Sequence, residues 1–545
     1  MNIRTGIRKL TLLFVGLFIA LSAGLVYWQV VVGDQVAANI HNGRPCLYSN
    51  APQRGRIRDR NGVVLAESIT KASCGNIRHY TDPSLAGLIG YYAGINYPAT
   101  GLESQFDDIL SGRAGLTAMS NVVNRTLHRP PVGDDIYLTI DERIQQSVAK
   151  HFDDPINIIP GETFRTDRGS VVVSDPHTGE ILAMLSRPSY DPNKLVQTLM
   201  KGELSYYNSL AQNPHQPLVE RPIQALYSPG STFKTVTLLA GLDSGKTTLN
   251  EQFDRDHARG PVTLGTGDET EMFGPNGNNI DGYTMRFPIT TEYGFVHSDN
   301  IIFAQIGART GVDTWLDYTN RFFVGQQVKI DGLPVVVSKV QDTNKQGEVQ
   351  RLKVNRLAEN AFGQGADSIS AFQMSLIDNV VANDGQLMQP ALISKVVDPA
   401  SKSTIQSFSS KTLGSQQVSQ QTAISARKAM YGVVRCGSGS IVSQLFGSQW
   451  SIIGKTGTAE VGGGLPAHSW MITQAPYSVE SSGQLPAVTI VAMKENGGEG
   501  GATVGPMIAA IYNDIFSNNY VKPQIPPAND TRTYCCSTGM LQIGC

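Results

Sequence analysis

A serine with a lysine three residues on can supply a nucleophile and its base, because that spacing puts both side chains on one face of a helix. The chain carries the pair four times, at Ser68, Ser147, Ser231 and Ser425. Ser68 follows a predicted strand, while Ser147 and Ser425 fall in polar-faced helices where Ser and Lys are expected to be solvated. Ser231 has another setting, QALYSPGSTFKTVTLLAGL. Ser228 reads as an N-cap, Pro229 suits the first helical position, and an apolar helix follows. Ser231 then lies in the first turn, where unpaired backbone N–H groups and the helix dipole favour developing negative charge. Lys234 stands one turn on, and an apolar wall with a cationic or dipolar neighbour lets a lysine lose its proton near neutral pH. Alone the pair is a weak signal, since a helix-start serine beside a solvated lysine reads the same way.

Two further elements strengthen it. HSDN places Ser298 and Asn300 two residues apart after Tyr293, Phe295 and Val296, a hydroxyl and an amide able to relay protons and hold a substrate amide. Ser517–Asn519 repeats the spacing by chance in the tail. Lys455-Thr456-Gly457-Thr458 ends the apolar stretch SIIG, and Lys-Thr-Gly occurs once in the chain. Gly457 allows close approach of a backbone or ligand, while Lys455 and the threonine hydroxyls of Thr456 and Thr458 can bind a carboxylate. S-x-x-K, S-x-N and K-T-G in that order are the signature set of serine acyltransferases that react with β-lactams. A phosphate-loop reading of GLDSGKT, 241–247, is rejected, because the spacing is one residue short and a helix precedes it.

These side chains must be positioned by a large fold. At 545 residues the chain exceeds one compact core, and two folded domains are expected. A net charge of −2 argues against nucleic acid as partner. The six cysteines form no metal-ligand pattern with histidine, and their pairing is not readable from spacing. Residues 10–32 are uncharged and long enough to cross a bilayer, with Arg4, Arg8 and Lys9 before them and Tyr27 and Trp28 near the far end. They predict a single uncleaved anchor, a cytoplasmic tail over 1–9 and an extracytoplasmic remainder; a cleaved signal peptide is the competing reading. Residues 33–160 read as a mixed module with a hairpin at Asn61-Gly62. A larger domain over 161–520 opens with a hairpin around Pro176–Gly179, continues through helices, regains strands at WSIIGKTGTAE, HSWMITQ and AVTIVAMK, and closes on a helix near 506–516. The expected fold class is α+β, an antiparallel sheet flanked by helices. Residues 521–545 read as a tail that does not fold alone.

With these motifs the chain resembles the class B penicillin-binding proteins, monofunctional peptidoglycan D,D-transpeptidases. RGRIRDRNGVVLAES, TGLESQFDDILSG, SVVVSDPHTGEILAMLSRPSYDPN, FGQGADSIS and HSWMITQAP carry the likeness, and the short N-terminal module is similar to the PbpA-like branch. The resemblance implies Ser231 as nucleophile, Lys234 as general base, and Ser298 and Asn300 as proton shuttle and substrate guide. Lys455, Thr456, Gly457 and Thr458 match the motif that holds the donor carboxylate, with backbone N–H groups of Ser231 and Thr458 as oxyanion hole. It implies no metal or cofactor, a pedestal or dimerisation role for 33–160, stem peptides and β-lactams as ligands, and a glycosyltransferase partner. It leaves division and elongation both open. A β-lactam hydrolase or a β-lactam-sensing receptor with the same serine is the alternative. Met471 stands where the family often has an aromatic, so a slightly different site wall is expected.

Overall fold

The computed structural model describes residues 3–27, 53–70, 76–94, 96–114, 132–153, 166–265, 267, 270–274, 287–446, 449–478, 485–523, 534–535 and 542–543. In chain order the elements used below are α1 (Ile3–Val26), β1 (Ile57–Arg58), β2 (Val64–Thr70), β3 (Asn76–Tyr80), β4 (Asp135–Leu138), α2 (Glu142–Asp153), β5 (Gly169–Ser174) and β6 (Ile181–Arg187). They continue as α3 (Lys234–Asp243), α4 (Asn300–Thr310), α5 (Ala371–Ala382), β7 (Ile393–Val397), β8 (Thr404–Ser407), α6 (Gln420–Arg435), β9 (Ile453–Ala459), β10 (His468–Ala475), β11 (Val488–Lys494) and α7 (Gly500–Ser517).

Helix α1 contains a 21-residue apolar stretch, Gly6–Val26, with mean hydropathy 2.1 and none of it buried against the rest of the chain. That length matches the hydrocarbon thickness of a bilayer. The expected span runs on to residue 32, but Trp28 and the residues after it lie outside the described ones.

The larger half is built on a five-stranded sheet in the order β9-β10-β11-β5-β6, antiparallel throughout. The Pro176–Gly179 hairpin forms as expected, with Gly179 at φ 82°. Both sheet faces are covered, which explains why every residue of β5 and β11 is buried. Val171 and Val173 point to one side, packing with α2 and α7 through Ile144, Val148, Ile508 and Tyr512. Val172 and Val491 point to the other, toward α5 and its Phe372, Leu376 and Ile377. Helix α5 is buried on all sides, so its apolar residues need no single stripe.

The smaller half carries a six-stranded sheet, β8-β7-β4-β1-β2-β3. Its outer strands β7 and β8 come from 393–407, so this sheet takes strands from both sides of residue 160. The Asn61-Gly62 hairpin is present, closed by Asp59 accepting N–H bonds of 2.8 Å from both Asn61 and Val63. The RGRIRDRNG and TGLESQFDD segments meet in a buried cluster. Glu103 accepts from Arg54 Nε at 3.0 Å and Nη2 at 2.8 Å, and from Arg78 Nε on its other oxygen. Removing one partner of such a group leaves uncompensated buried charge. Glu103→Ala is therefore expected to cost about 3–5 kcal/mol. The readout is hydrogen exchange: protection should fall across 57–80 and persist in β5 and β11, whereas unchanged protection over 57–80 would refute the assigned role.

Two expectations are revised. Helix α7 begins at Gly500, not near 506, and contains Pro506. Its glycine-rich start is helical because the first turn abuts β9, where a Cβ on Gly500 would fall 2.2 Å from the Gly457 oxygen. Packing there overrides poor propensity. Ser147 is buried, not solvated, and donates to Asp514 Oδ2 at 2.7 Å. Within the tail, Tyr534–Cys535 pairs with Gln542–Ile543. Cys436 is in a disulfide.

Candidate active site

Ser231 sits in a 3-10 turn, Gly230–Phe233, that runs directly into α3. Pro229 occupies the cap position without a side-chain bond, and Ser228 Oγ instead donates to Gly363 O at 2.9 Å. The expected serine cap is thus replaced by a tertiary contact. Gly230 N also donates to Gly363 O at 3.0 Å, and Tyr227 exchanges backbone bonds with Ile369. Gly363 has φ +89° and lies so close to this turn that a Cβ would be 1.7 Å from Gly230 O. The FGQGADSIS segment is therefore the cradle of the nucleophile turn. On its other side, Tyr227 Oη donates to Glu495 at 2.8 Å, and Glu495 also accepts from buried Arg221 at 2.8 Å.

The first two motifs meet at Lys234, which is wholly buried. Its Nζ lies 2.8 Å from Ser231 Oγ, 2.7 Å from Ser298 O, 3.1 Å from Ser298 Oγ, and against Asn300 Oδ1. Ser298 is a non-glycine residue at φ +64°, and α4 starts immediately after it, capped by Asp299 accepting from Ile302 N at 3.0 Å. This strained backbone aims both the carbonyl and the hydroxyl of Ser298 at the lysine. Lys455 Nζ reaches the same hydroxyl at 2.9 Å, so Ser298 Oγ bridges the two amines. Phe303 and Phe295 wall the pair, with ring centroids 6.0 Å from Lys234 Nζ and 5.5 Å from Lys455 Nζ.

Electrostatics follow from this burial. Desolvation first, and the like charge of Lys455 second, pull Lys234 well below the usual lysine range, while Asp299 acts the other way. Burial lowers Lys455 to about 7. Asp299 is raised to about 7, again by burial, and His297 is lowered to about 4 by burial and then by Lys455. Burial thus favours the neutral, proton-accepting form of Lys234, and His297 is an uncharged neighbour at neutral pH.

The third motif approaches from the sheet edge. Strand β9 is the outermost strand, and it lies along the Ser231 turn. A Cβ on Gly457 would stand 2.9 Å from both Pro229 O and Thr232 Cγ2, so glycine sets the strand-to-turn distance. Thr456 Oγ1 is 2.5 Å from Ser438 Oγ, and Thr458 Oγ1 accepts from Gly500 N at 3.3 Å. A cleft of 610 Å³ runs along this edge, lined by Ser231, Ser298, Asn300, Thr456, Thr458 and Ser438 among others. Both lysines lie beneath its floor. Gly457→Ala should keep the fold yet slow β-lactam acylation by about tenfold or more, since small misplacements of reacting groups are costly. Acylation at the parent rate would show that the strand has room to shift.

The comparisons with known proteins identify the family and the fold. A family described as the penicillin binding protein transpeptidase domain matches residues 169–515, more than half of the chain. The chain belongs to the penicillin-binding protein transpeptidase family. A second match, to the penicillin binding protein A dimerisation domain, covers residues 54–136. Among curated relatives, the peptidoglycan D,D-transpeptidase PbpA of Mycolicibacterium smegmatis is 29% identical over 517 residues, covering 93% of this chain and 96% of that one. The peptidoglycan D,D-transpeptidase MrdA of Escherichia coli is 26% identical over 480 residues, covering 79% and 68%. Among solved structures, the ceftriaxone acyl-enzyme complex of penicillin-binding protein A from M. tuberculosis superposes with a TM-score of 0.71 at 26% identity, covering 86% of this chain and 99% of that one. The penicillin G acyl-enzyme complex of the same protein gives 0.70 at 27% identity, covering 85% and 99%.

In this transpeptidase domain all eight residues named from the motifs converge on one cleft and its floor. Several others were not singled out from the sequence. Ser438, in the small-residue run after α6, touches Thr456, and Asp299, between Ser298 and Asn300, caps α4. Tyr227 carried no signal beyond being an aromatic next to the motif. Met471 does not form a site wall: it is buried on the α7 side of the sheet, beside Gly505 and Gly439. Strand alternation turns its neighbour Trp470 toward Gly457 and Tyr227 instead.

Proposed function

We propose that this penicillin-binding protein is a peptidoglycan D,D-transpeptidase that works through an acyl-enzyme on Ser231. The observation that carries the residue assignment is the buried Lys234 amine 2.8 Å from Ser231 Oγ. Neutral Lys234 takes the Ser231 proton as the oxygen attacks the carbonyl between the last two D-alanines of a stem peptide. Backbone N–H groups of Ser231 and Thr458 receive the oxyanion, and Lys455 with Thr456 and Thr458 holds the terminal carboxylate. Ser298 Oγ, in reach of both amines, passes the proton to the departing D-alanine nitrogen. An amine of a neighbouring stem peptide then attacks the ester, gives up a proton to the lysine–serine pair, and frees Ser231. Asn300 orients the peptide amide. A β-lactam enters the same first step and stays attached.

Helix α1 anchors the chain in the cell membrane with the catalytic domain on the extracytoplasmic side, as Arg4, Arg8 and Lys9 at its N-terminal end favour. The residues matched to the dimerisation domain form a pedestal. Glycan strands come from a separate glycosyltransferase, which this enzyme accompanies.

The test is intact-protein mass after incubation with benzylpenicillin, followed by peptide mapping. One lasting adduct on Ser231 is expected. Rapid penicillin turnover without an adduct would instead identify a hydrolase.

A further inference from the structure

Away from the acylation cleft, a cavity of 280 Å³ opens between the two halves of the molecule. Gly87, Tyr91 and Thr100 line it from the smaller half, and Tyr190, Tyr207 and Glu220 from the larger. Glu220 is only 3% exposed, and its Oε1 is enclosed with no hydrogen-bond donor among the described residues. Its Oε2 lies against Gly87, where a Cβ would fall 1.8 Å away.

The nearby cations are already engaged. Arg221 pairs with Glu495 at 2.8 Å and donates to the carbonyls of Gln216 and His215, and Arg187 pairs with Asp153 at 2.7 Å. Tyr190 Oη donates to Ala86 O at 2.9 Å. A buried carboxyl without a donor destabilises a fold, and natural proteins retain such groups where a ligand completes them. The tyrosine rings supply apolar walls and faces that attract a cation.

We propose that this cavity binds a small primary ammonium, a short apolar stem carrying one –NH₃⁺ group that pairs with the Glu220 carboxylate among Tyr91, Tyr190 and Tyr207. The site is distinct from the Ser231 cleft, with which it shares no lining residue.

Charge on Glu220 governs binding. Burial raises its carboxyl to about 8, with Arg221 and Arg187 opposing. Tyr190 and Tyr91 are also raised, so both stay neutral where Glu220 ionises. The test is calorimetric titration of n-butylammonium chloride into the full chain in neutral detergent, at pH 7 and pH 9, with n-pentanol as the uncharged control. One butylammonium per chain is expected, bound roughly tenfold tighter at pH 9 because more Glu220 is ionised there. Glu220→Gln keeps shape and neutrality, so it should fold normally, bind at least about tenfold more weakly and lose the pH dependence. Gly87→Ala, whose methyl displaces the carboxylate, should weaken binding as well. Equal affinity of Glu220→Gln and parent, pentanol binding as tightly as butylammonium, or no binding by the parent at either pH would overturn the proposal.

Discussion

Ser231→Ala takes up no β-lactam covalently, while the fold and the reversible association of the drug with the cleft persist. The hydroxyl is the group that becomes the ester, and its oxygen lies 2.8 Å from the Lys234 amine, closer than the Ser298 hydroxyl at 3.1 Å. Among the described residues the Ser231 hydroxyl hydrogen-bonds to the Lys234 side chain, so its loss should change stability by about 1 kcal/mol or less. The measurement is intact-protein mass beside a thermal unfolding curve. The effect is all-or-none, because a methyl group has no lone pair to attack with. An adduct of normal extent that maps to a different serine would remove Ser231 from the mechanism.

Lys234→Ala slows acylation by about 10²–10⁴-fold, the usual contribution of a positioned general base. Lys234→Met, which fills the same buried space, should lose as much, separating lost basicity from a packing defect. The pH dependence fixes the sign. A lysine accepts a proton only when neutral, and burial with Lys455 nearby pulls Lys234 down from the usual lysine range. Acylation by the parent enzyme should therefore rise with pH through the lowered pKa of Lys234, and both variants should lose that rising limb. Lys455, at about 7 in the free enzyme, is charged below that pH and neutral above it. For a substrate bearing a carboxylate, kcat/KM should then fall again on the alkaline side, giving a bell. Stopped-flow acylation of parent and variants, followed on both sides of the Lys455 value of about 7, decides the matter. Near-normal rates for Lys234→Ala would assign the proton to another base.

Much of the chemistry was legible in the chain. Ser231 with Lys234, Ser298 with Asn300, and the Lys455–Thr458 run each carry their reacting groups at short, fixed spacings, and such spacings survive any arrangement of the rest. The two hairpins were legible for a similar reason: Gly62 and Gly179 occupy positive φ in turns flanked by apolar runs, a local steric requirement. The apolar stretch from Gly6 to Val26 reflects composition alone. What could not be read locally depended on distant contacts. The low propensity of Gly500 and Gly501 hid a helix start that is stabilised by packing on β9. Ser147 looked solvated until Asp514, far along the chain, was placed beside it. Ser228 looked like a cap until Gly363 took its hydroxyl.

By itself the sequence determined which groups react and the order of strands and helices that carry them, because motifs, turns and periodicity are local properties of the chain. Only the tertiary structure decided that Lys234 and Lys455 share one hydroxyl beneath a floor closed to water. That placement comes from packing Ser298 against lysines 64 and 157 residues away in sequence, and it alone removes the solvent that keeps an ordinary lysine charged.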